Sequence, residues 1–424
     1  MYASLLLSLG LLVPSPYYFG AGASLLAYYF LSVGYVLYAI RHLDVSRRCP
    51  PNAFEEEDST VELRLIHSGW FPLLGVELLD NFSPQSISQV RLLVPERLAP
   101  RSIYALSYLG QCFKKRGTYD VGPIEVRIWD PLGLVRARRV LPVYDRIVVY
   151  PAPVPVASPA AAGSRLAVGT GVEWRVRAGL SPIYRGARDY LPGDDPRLVH
   201  WPLSARHGRL LVREFDAELH PAITIFLDLE KANQRGLGGC STLEYQVKIA
   251  ASLAADAVRR RVRVSMIGES DRTIEVPPGS TRRHLALVLE ELVAVKMEGS
   301  VRFFHLVRTE VHRLSRGSTV VLLLASPPQE DEEFVDLAGR LVARGHRVSA
   351  YLFDRETFPA VTEAERERGS RPPADDFARA LHDQGVEVRV VSGRVPLPEQ
   401  LLERWSPPAP PASVAAERSR RARW

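Results

Sequence analysis

The first forty residues of the chain restrict its possible folds more than any later stretch. No charged residue occurs between Tyr2 and Ile40. Within this run, residues 17–40 read YYFGAGASLLAYYFLSVGYVLYAI. As a helix rising ~1.5 Å per residue they would extend about 36 Å, which is enough to cross a bilayer. We therefore predict one or two transmembrane segments within residues 1–40.

The flanks of this run indicate its topology. The preceding stretch, YASLLLSLGLLV, ends at two prolines and is short for a full span, so it is either the first helix of a hairpin or a partly inserted lead-in. A secretory signal is disfavoured because no basic segment precedes the apolar run. Arg41, His42, Arg47 and Arg48 follow it, and such a positive flank normally stays in the cytoplasm. We predict a cell-membrane protein with most of the chain in the cytosol; a buried hairpin in a soluble protein is the alternative.

The composition of the whole chain is that of a globular protein. Its 424 residues are 46% hydrophobic and 24% charged, a length typical of two or three domains. The formal net charge is +6, but acidic residues are interspersed among the basic ones, so we expect no nucleic-acid partner. The three cysteines lie far apart and form no C-x-x-C pair, which indicates neither a disulfide framework nor a zinc site.

Residues 41–181 predict a joint, an all-β domain and a connector. Residues 41–58 are polar and predict a joint. Between residues 59 and 151 the pattern has period two, in the short runs TVELRLIHSGW, SQVRLLVP, IEVRIWD and DRIVVYP. Several short strands at this spacing predict a β-sandwich of immunoglobulin-like size. Residues 152–181 are rich in Pro, Ala and Gly and are typical of a connector.

Residues 221–405 alternate between apolar runs and helical patterns. AITIFLDLE predicts a strand buried on both faces, and Ser241 with Glu244 forms a capping box that opens a helix reaching Arg259. The runs VRVSMIG, TVVLLLAS, RVSAYLF and VEVRVV predict further strands, with helices near 281–298, 303–315, 330–344 and 374–384. This alternation predicts a mostly parallel sheet with helices on both faces. Residues 406–424 are typical of a disordered basic tail.

One acidic residue lies where such a sheet would bind a ligand. Asp228 follows the first strand, at the carboxyl edge of the predicted sheet. Von Willebrand factor A-like domains hold Mg²⁺ there with an Asp-x-Ser-x-Ser pattern, since a hard cation takes several oxygen ligands. Here Glu230 and Ala232 replace both serines, Thr281 is a candidate second-loop hydroxyl, and Ser326 precedes prolines rather than an acid. We expect no physiological metal or other cofactor, and a Mg²⁺-dependent binding module remains the alternative.

The segment 182–220 contains the most unusual local composition, DYLPGDDPRLVHWPLSARHG. Ser204, His200 and Asp194 or Asp195 would suffice for a hydrolase, but no G-x-S-x-G elbow surrounds Ser204. A structural role explains more of the composition. Asp195 and Pro196 would start a helical turn that Pro202 interrupts, and Gly208 would end the next turn.

This segment resembles the signature of the domain of unknown function 58 family, roughly R-x-Y-x-x-G-D-x-x-R-x-[IV]-x-W-x-x-S-A-R. The matching residues are Arg188, Tyr190, Gly193, Asp194, Arg197, Val199, Trp201, Ser204, Ala205 and Arg206. The likeness extends to the apolar N-terminus and to the stretches KRGTYDVGP and DPLGL. The resemblance implies a membrane-anchored protein with a C-terminal von Willebrand A-like domain, associated with MoxR-type AAA+ ATPases in assembly or cell-envelope processes. The departures at Glu230, Ala232 and Ser326 argue against metal-dependent adhesion.

These observations predict a membrane-anchored, non-enzymatic adaptor that binds a protein partner, and the resemblance implies that this partner is a MoxR-type AAA+ ATPase. The signature segment would fix domain geometry or present a docking surface, with its arginines and Trp201 as anchors. The expected interaction residues are Arg188, Tyr190, Gly193, Asp194, Arg197, Trp201, Ser204 and Arg206. The metal-dependent module at Asp228 and a hydrolase at Ser204 are the two alternatives.

Overall fold

The computed structural model describes residues 16–85, 89–94, 97–113, 115–157, 184–191, 194, 196–215, 222–315, 317–325, 327, 331–359 and 374–402. The chain divides into two compact units. The first comprises the chain up to Ala152 together with residues 292–294, and the second comprises the remainder. Most of the predicted connector and the whole of the predicted tail lie outside the described residues.

The apolar N-terminal run forms one long helix, α1 (Pro16–Arg41). Its segment Gly20–Arg41 is the single helix in the described part of the chain that is long and apolar enough to cross a membrane, with a mean hydropathy of 1.6. This supports the predicted membrane anchor by length and composition. Residues 1–15, on which a second span would depend, lie outside the described residues.

The first unit also contains a β-domain. Its strands are β1 (Leu43–Arg48), β2 (Asn52–Phe54), β3 (Asp58–His67), β4 (Val76–Asn81), β5 (Gln89–Val94), β6 (Ile103–Gln111), β7 (Gly117–Val121), β8 (Ile124–Trp129), β9 (Arg136–Leu141) and β10 (Asp145–Tyr150). They form sheets of order β1-β3-β6, β2-β10-β7 and β5-β4-β8-β9. Strand β3 alternates exposed and buried residues along its length, which is the period-two pattern of its sequence. The predicted β-rich domain is therefore present.

The segment predicted as a joint belongs to this domain. It contains strands β1 and β2, and β1 pairs antiparallel with β3 from Leu43–His67 to Arg48–Glu62. The side chain of Arg47 is completely buried, where it pairs with Asp80 and Asp145. Arg47 therefore does not act as the exposed positive charge after helix α1 that the sequence had predicted. The sequence was misleading here because the residue type does not show whether an arginine is buried or exposed.

The C-terminal half of α1 packs into the β-domain. Val36 and Ala39 are buried, and Ala39 joins the core around Leu65 and Val76. Tyr28 Oη donates to Asp130 Oδ2 at 2.7 Å, and Ser32 Oγ donates to the same oxygen at 3.4 Å. Asp130 is the first residue of the DPLGL stretch, so its carboxylate connects this turn to the helix.

The second unit begins with a small ribbon built from the signature segment. Strands β11 (Tyr184–Asp189) and β12 (Leu211–Phe215) pair antiparallel. Between them lie a 3-10 turn (Pro196–Leu198) and the short helix α2 (Trp201–His207). Pro202 lies in the first turn of α2 and does not interrupt a helix, because a proline there needs no hydrogen-bonded N–H. Gly208 ends the helix with φ of +65°, as its sequence predicts.

The rest of the second unit is an α/β sheet. Its strands are β13 (Ala222–Leu227), the short pair β14 (Gly236–Leu237) and β15 (Cys240–Ser241), β16 (Arg263–Glu269), β17 (Thr273–Gly279), β18 (Thr319–Leu324), β19 (Arg347–Asp354) and β20 (Glu387–Ser392). Its helices are α3 (Thr242–Arg259), α4 (Arg282–Ala294), α5 (Phe303–Glu310), α6 (Asp331–Ala343), α7 (Ala374–Asp383) and α8 (Leu397–Leu402).

The sheet order in this unit is β17-β16-β13-β18-β19-β20. Neighbouring strands are parallel except at the edge, where β17 pairs antiparallel with β16. Ser241 Oγ accepts from the backbone N–H of Glu244, which confirms the predicted cap of α3. The order reverses at β13, so loops at its carboxyl end flank the crevice where α/β sheets bind ligands.

Candidate functional site

The signature ribbon is held closed by an arginine–aspartate pair. Arg188 donates from Nη1 and Nη2 to the two carboxylate oxygens of Asp194, each at 2.7 Å. The backbone N–H of Leu191 donates to the same carboxylate at 2.9 Å. The hydrogen bonds from Arg188, followed by that from Leu191, lower the pKa of Asp194 to about 2. Two of the predicted signature residues therefore form a bidentate clamp on the loop between them.

Ser204 connects helix α2 to strand β12. Its Oγ donates to the backbone carbonyl of His200 at 3.0 Å and accepts from the backbone N–H of Leu211 at 2.9 Å. The residue is buried, and Nδ1 of His200 accepts from the N–H of Leu203 rather than facing the hydroxyl. The hydroxyl therefore acts as a structural link, and the hydrogen bonds described for it all go to backbone groups rather than to a side chain that could act as a base.

Apolar side chains lie exposed around this rigid element. Trp201, at the start of α2, is 64% exposed, and Leu191 and Leu210 are 61% and 46% exposed. The N–H of Tyr190 donates to the carbonyl of Leu210, so the chain segments that carry the two leucines are adjacent. The N–H of His200 donates to the carbonyl of Leu211, which brings the start of α2 to the same end of the ribbon. We call Leu191, Trp201 and Leu210 the signature apolar patch.

For the remaining predicted signature residues, the structure gives at most a position and a degree of exposure. Tyr190 follows β11 and is half-buried, and Arg206 is exposed on α2. Gly193 and Asp195 lie outside the described residues, as does the side chain of Arg197 in the 3-10 turn. The sequence pattern did not single out Leu191 and Leu210, because an isolated leucine in a loop carries no signal of exposure.

The carboxyl edge of the sheet contains a buried carboxylate whose partner the sequence reasoning missed. Asn233 Nδ2 donates to Asp228 Oδ1 at 3.2 Å and to Oδ2 at 2.9 Å. The backbone N–H groups of Ala325 and Glu230 donate to the same carboxylate at 3.0 and 3.3 Å. Burial, and secondarily the charge of Glu230, raise the pKa of Asp228 to about 7. Hydrogen-bond donors of the protein thus occupy the carboxylate oxygens that a cation would need as ligands.

Thr281 lies far from this carboxylate. Gly279, at the end of β17, pairs with Val264 at the start of β16, whereas Gly268 near the end of β16 pairs with Leu227, the residue before Asp228. The two positions on β16, Val264 and Gly268, are four residues apart, which is about 13 Å at ~3.3 Å per residue. The Thr281 hydroxyl instead caps α4 by accepting from the N–H of His284 at 3.1 Å. The structure does not bring Thr281 to the Asp228 site.

Glu230 is the remaining candidate ligand, and it lies beside Asp228. Asn233 Nδ2 also reaches Glu230 Oε2, at 3.3 Å. Among the described residues, no group of three or more His, Cys, Asp or Glu side chains is arranged to hold a metal ion. Ser326 lies outside the described residues.

The family comparison coincides with the signature ribbon and most of the sheet. Residues 186–354, from within β11 to the end of β19, match the family described as Protein of unknown function DUF58. The match supports the DUF58 family. The DUF58 region contains the Arg188–Asp194 clamp, Ser204 and the Asp228 site, and it excludes α1 and the β-domain. No curated protein matches the chain.

Likenesses to solved structures are faint. A CARDB domain from Pyrococcus furiosus, determined in solution, is 13% identical with a TM-score of 0.19, covering 26% of this chain and 94% of that one. A crystal structure of that domain with two metal ions is 14% identical with a TM-score of 0.19, covering 25% and 86%. The exo-β-N-acetylglucosaminidase of family GH20 from Vibrio harveyi is 10% identical with a TM-score of 0.20, covering 82% and 57%. At these scores the likenesses carry no argument.

Proposed function

We propose that the protein is a membrane-anchored, non-enzymatic adaptor whose signature ribbon docks a protein partner. The observation that carries the proposal is the signature apolar patch, a set of exposed large side chains on a ribbon that a bidentate ion pair holds rigid. Tryptophan is enriched among residues that dominate binding energy, and a preorganised surface loses little entropy on association. Trp201 belongs neither to the Arg188–Asp194 clamp nor to the Ser204 link, so its exposed ring is available to a partner.

A MoxR-type AAA+ ATPase is the partner that the DUF58 resemblance suggests. The family match covers residues 186–354, which include the ribbon proposed to dock the partner. The sheet order, with its antiparallel edge strand β17, is compatible with a von Willebrand A-like domain acting as a second interaction module. In this proposal the apolar helix α1 places the complex at the cell membrane, with the bulk of the chain in the cytosol.

The proposal is tested by copurification from the native membrane. Full-length protein is extracted in detergent and recovered by an affinity tag, and bound proteins are identified by mass spectrometry. We expect an AAA+ ATPase to be recovered with the wild type and to be reduced at least tenfold by Trp201→Ala. Leu237→Ala is the matched control, because Leu237 is 66% exposed in the same unit but lies outside the signature. Equal recovery from both variants, or recovery of no ATPase, would contradict the proposal.

A further inference from the structure

Helix α1 is fastened along one side to the β-domain. Tyr28 Oη donates to Asp130, the N–H of Leu74 donates to Tyr35 Oη at 2.7 Å, and Arg139 Nη1 donates to the carbonyl of Ile40 at 3.1 Å. These contacts begin at Tyr28 and continue to the end of the helix. At ~1.5 Å per residue, about 20 Å of helix lies against the domain.

This attachment limits how deep the helix can be immersed. The part of α1 before Tyr28 covers only about 18 Å, whereas a hydrocarbon core is ~30 Å thick. The free part of α1 is therefore too short to cross the core by itself, so in a membrane-anchored chain its attached side reaches the membrane boundary. The carboxylate of Asp130 is costly to place in hydrocarbon, so the loop that contains it belongs in the interfacial layer. The β-domain thus lies against the membrane rather than away from it.

The two loops that hold the helix carry exposed apolar side chains. In residues 68–75, Trp70 and Phe71 are 68% and 65% exposed, and their backbone N–H groups face Tyr38 Oη of α1. In residues 130–135, Leu132 and Leu134 are 67% and 61% exposed. Loop 130–135 is held at Tyr28, whereas Trp70 and Phe71 are held at Tyr38, about 15 Å farther along α1 at ~1.5 Å per residue. The helix attachment therefore assigns the membrane interface to the loop that contains Leu132 and Leu134.

A basic groove adjoins the second loop. It has a volume of about 760 Å³, and its lining includes Arg91, Arg127, Arg136, Arg138, Glu77 and Leu132. Glu77 pairs with Arg91 and Arg127. Within the described part of the chain no carboxylate pairs with Arg136 or Arg138, which project from the edge strand β9. The groove therefore keeps an uncompensated positive charge beside exposed leucines.

We propose that Leu132, Leu134, Arg136 and Arg138 form a membrane-contact face that binds the headgroups of anionic phospholipids. The inference rests on the proposed membrane anchoring by α1. Guanidinium groups bind phosphate oxygens in bidentate geometry, and the leucines beside them would enter the acyl boundary. A soluble anion would use the arginines but would leave the exposed leucines in water. A lipid headgroup satisfies both parts of the surface.

The test measures the lipids that the full-length protein retains. Protein reconstituted in nanodiscs with equal amounts of phosphatidylcholine and phosphatidylglycerol is released into the gas phase, and its bound lipids are counted by native mass spectrometry. We expect the wild type to enrich phosphatidylglycerol. Arg136→Ala/Arg138→Ala should reduce this enrichment by roughly 25-fold, because each of the two basic residues near an anionic surface contributes about a fivefold effect. An unchanged ratio in this variant would overturn the proposal.

Arg282→Ala/Arg283→Ala is the matched control, since it removes the same charge from two exposed arginines in the other unit. It should retain the wild-type enrichment, and a loss equal to that of the groove variant would contradict a specific face. Each preparation is also washed with alkaline carbonate. If the wild type is extracted by this wash, the proposed anchor fails; if it stays in the membrane without enriching phosphatidylglycerol, the anchor stands and the membrane-contact face fails.

Discussion

The side-chain amide of Asn233 donates to both carboxylate oxygens of Asp228, at 3.2 and 2.9 Å. Asp228 lies at the carboxyl end of β13, where the strand order reverses and α/β sheets commonly bind ligands. In this chain a protein amide and two backbone N–H groups occupy that position. The carboxylate is consequently a buried acid with structural partners, and its titration should be visible in the stability of the second unit.

We predict that stability decreases between about pH 4 and pH 7 because of Asp228. Its pKa is raised to about 7 in the folded chain, so the folded state holds a proton that the unfolded state, with a pKa of ~3.9, releases. The stabilising contribution is complete below about pH 4 and is lost as the pH rises to 7. It amounts to at most about 4 kcal/mol. Urea unfolding across this range should show a slope that is reduced in Asp228→Asn; an identical slope in both proteins would contradict this assignment.

Divalent metal should not bind at this site. Thr281 caps α4 at the opposite edge of the sheet, and among the described residues no group of three or more His, Cys, Asp or Glu side chains surrounds Asp228. Calorimetric titration of the wild type with Mg²⁺ or Mn²⁺ at millimolar concentration should give no heat of binding. Heat that disappears in Asp228→Asn would instead support a metal-dependent binding module.

Removing the hydroxyl of Ser204 should loosen the ribbon. Ser204→Ala leaves the buried N–H of Leu211 without the acceptor it has at 2.9 Å, a loss of about 1–3 kcal/mol. Hydrogen exchange of the Leu211 amide should accelerate about tenfold or more. Arg206→Ala, on the exposed side of the same helix, should change it little. Equal protection of Leu211 in Ser204→Ala and the wild type would show that the link is unimportant.

The clamp between Arg188 and Asp194 should be sensitive to acid. Since the pKa of Asp194 is lowered to about 2, its stabilising contribution is fully present above about pH 4 and is lost as the pH falls towards 2. Asp194→Asn should therefore raise exchange of the Leu191 amide at pH 5, and the difference from the wild type should shrink near pH 2. A difference that does not depend on pH would point to shape rather than charge.

Asp130 should couple the stability of helix α1 to that of the β-domain. Its carboxylate accepts from Tyr28, from Ser32 and from the N–H groups of Leu132 and Val135. Burial raises its pKa, but these hydrogen bonds together outweigh burial, so that the pKa is lowered. Asp130→Ala should destabilise the detergent-extracted protein by about 2–4 kcal/mol and expose α1 to hydrogen exchange. The control Asp120→Ala removes an exposed ion pair and should cost under ~1 kcal/mol.

The sequence predicted those features that local periodicity determines. The buried runs became strands β13, β16, β18, β19 and β20, and Ser241 caps α3, because a strand buried on both faces and a capping hydroxyl each leave a local pattern. Strand β17 was not predicted, since TIEVPPG contains two prolines and is tolerated as a strand only at the edge of the sheet.

The site depended on contacts that no local pattern contains. The partners of Asp228 include Asn233, five residues later, and the N–H of Ala325, which is almost a hundred residues away. The register between β17 and β16 also determines the position of Thr281, which lies at the edge of the sheet opposite to Asp228. The burial of Arg47 beside Asp80 likewise follows from the assembled β-domain rather than from the run of charges after α1.

The central claim is that the signature apolar patch is a docking surface, and site-specific photocrosslinking in cells tests it most directly. A photoreactive amino acid replaces Trp201 in one protein and Leu237, equally exposed but outside the patch, in another. We expect the protein labelled at position 201 to form an adduct with an AAA+ ATPase, and the protein labelled at position 237 to form none or at least tenfold less. Equal adducts at both positions, or no ATPase adduct at position 201, would contradict the account.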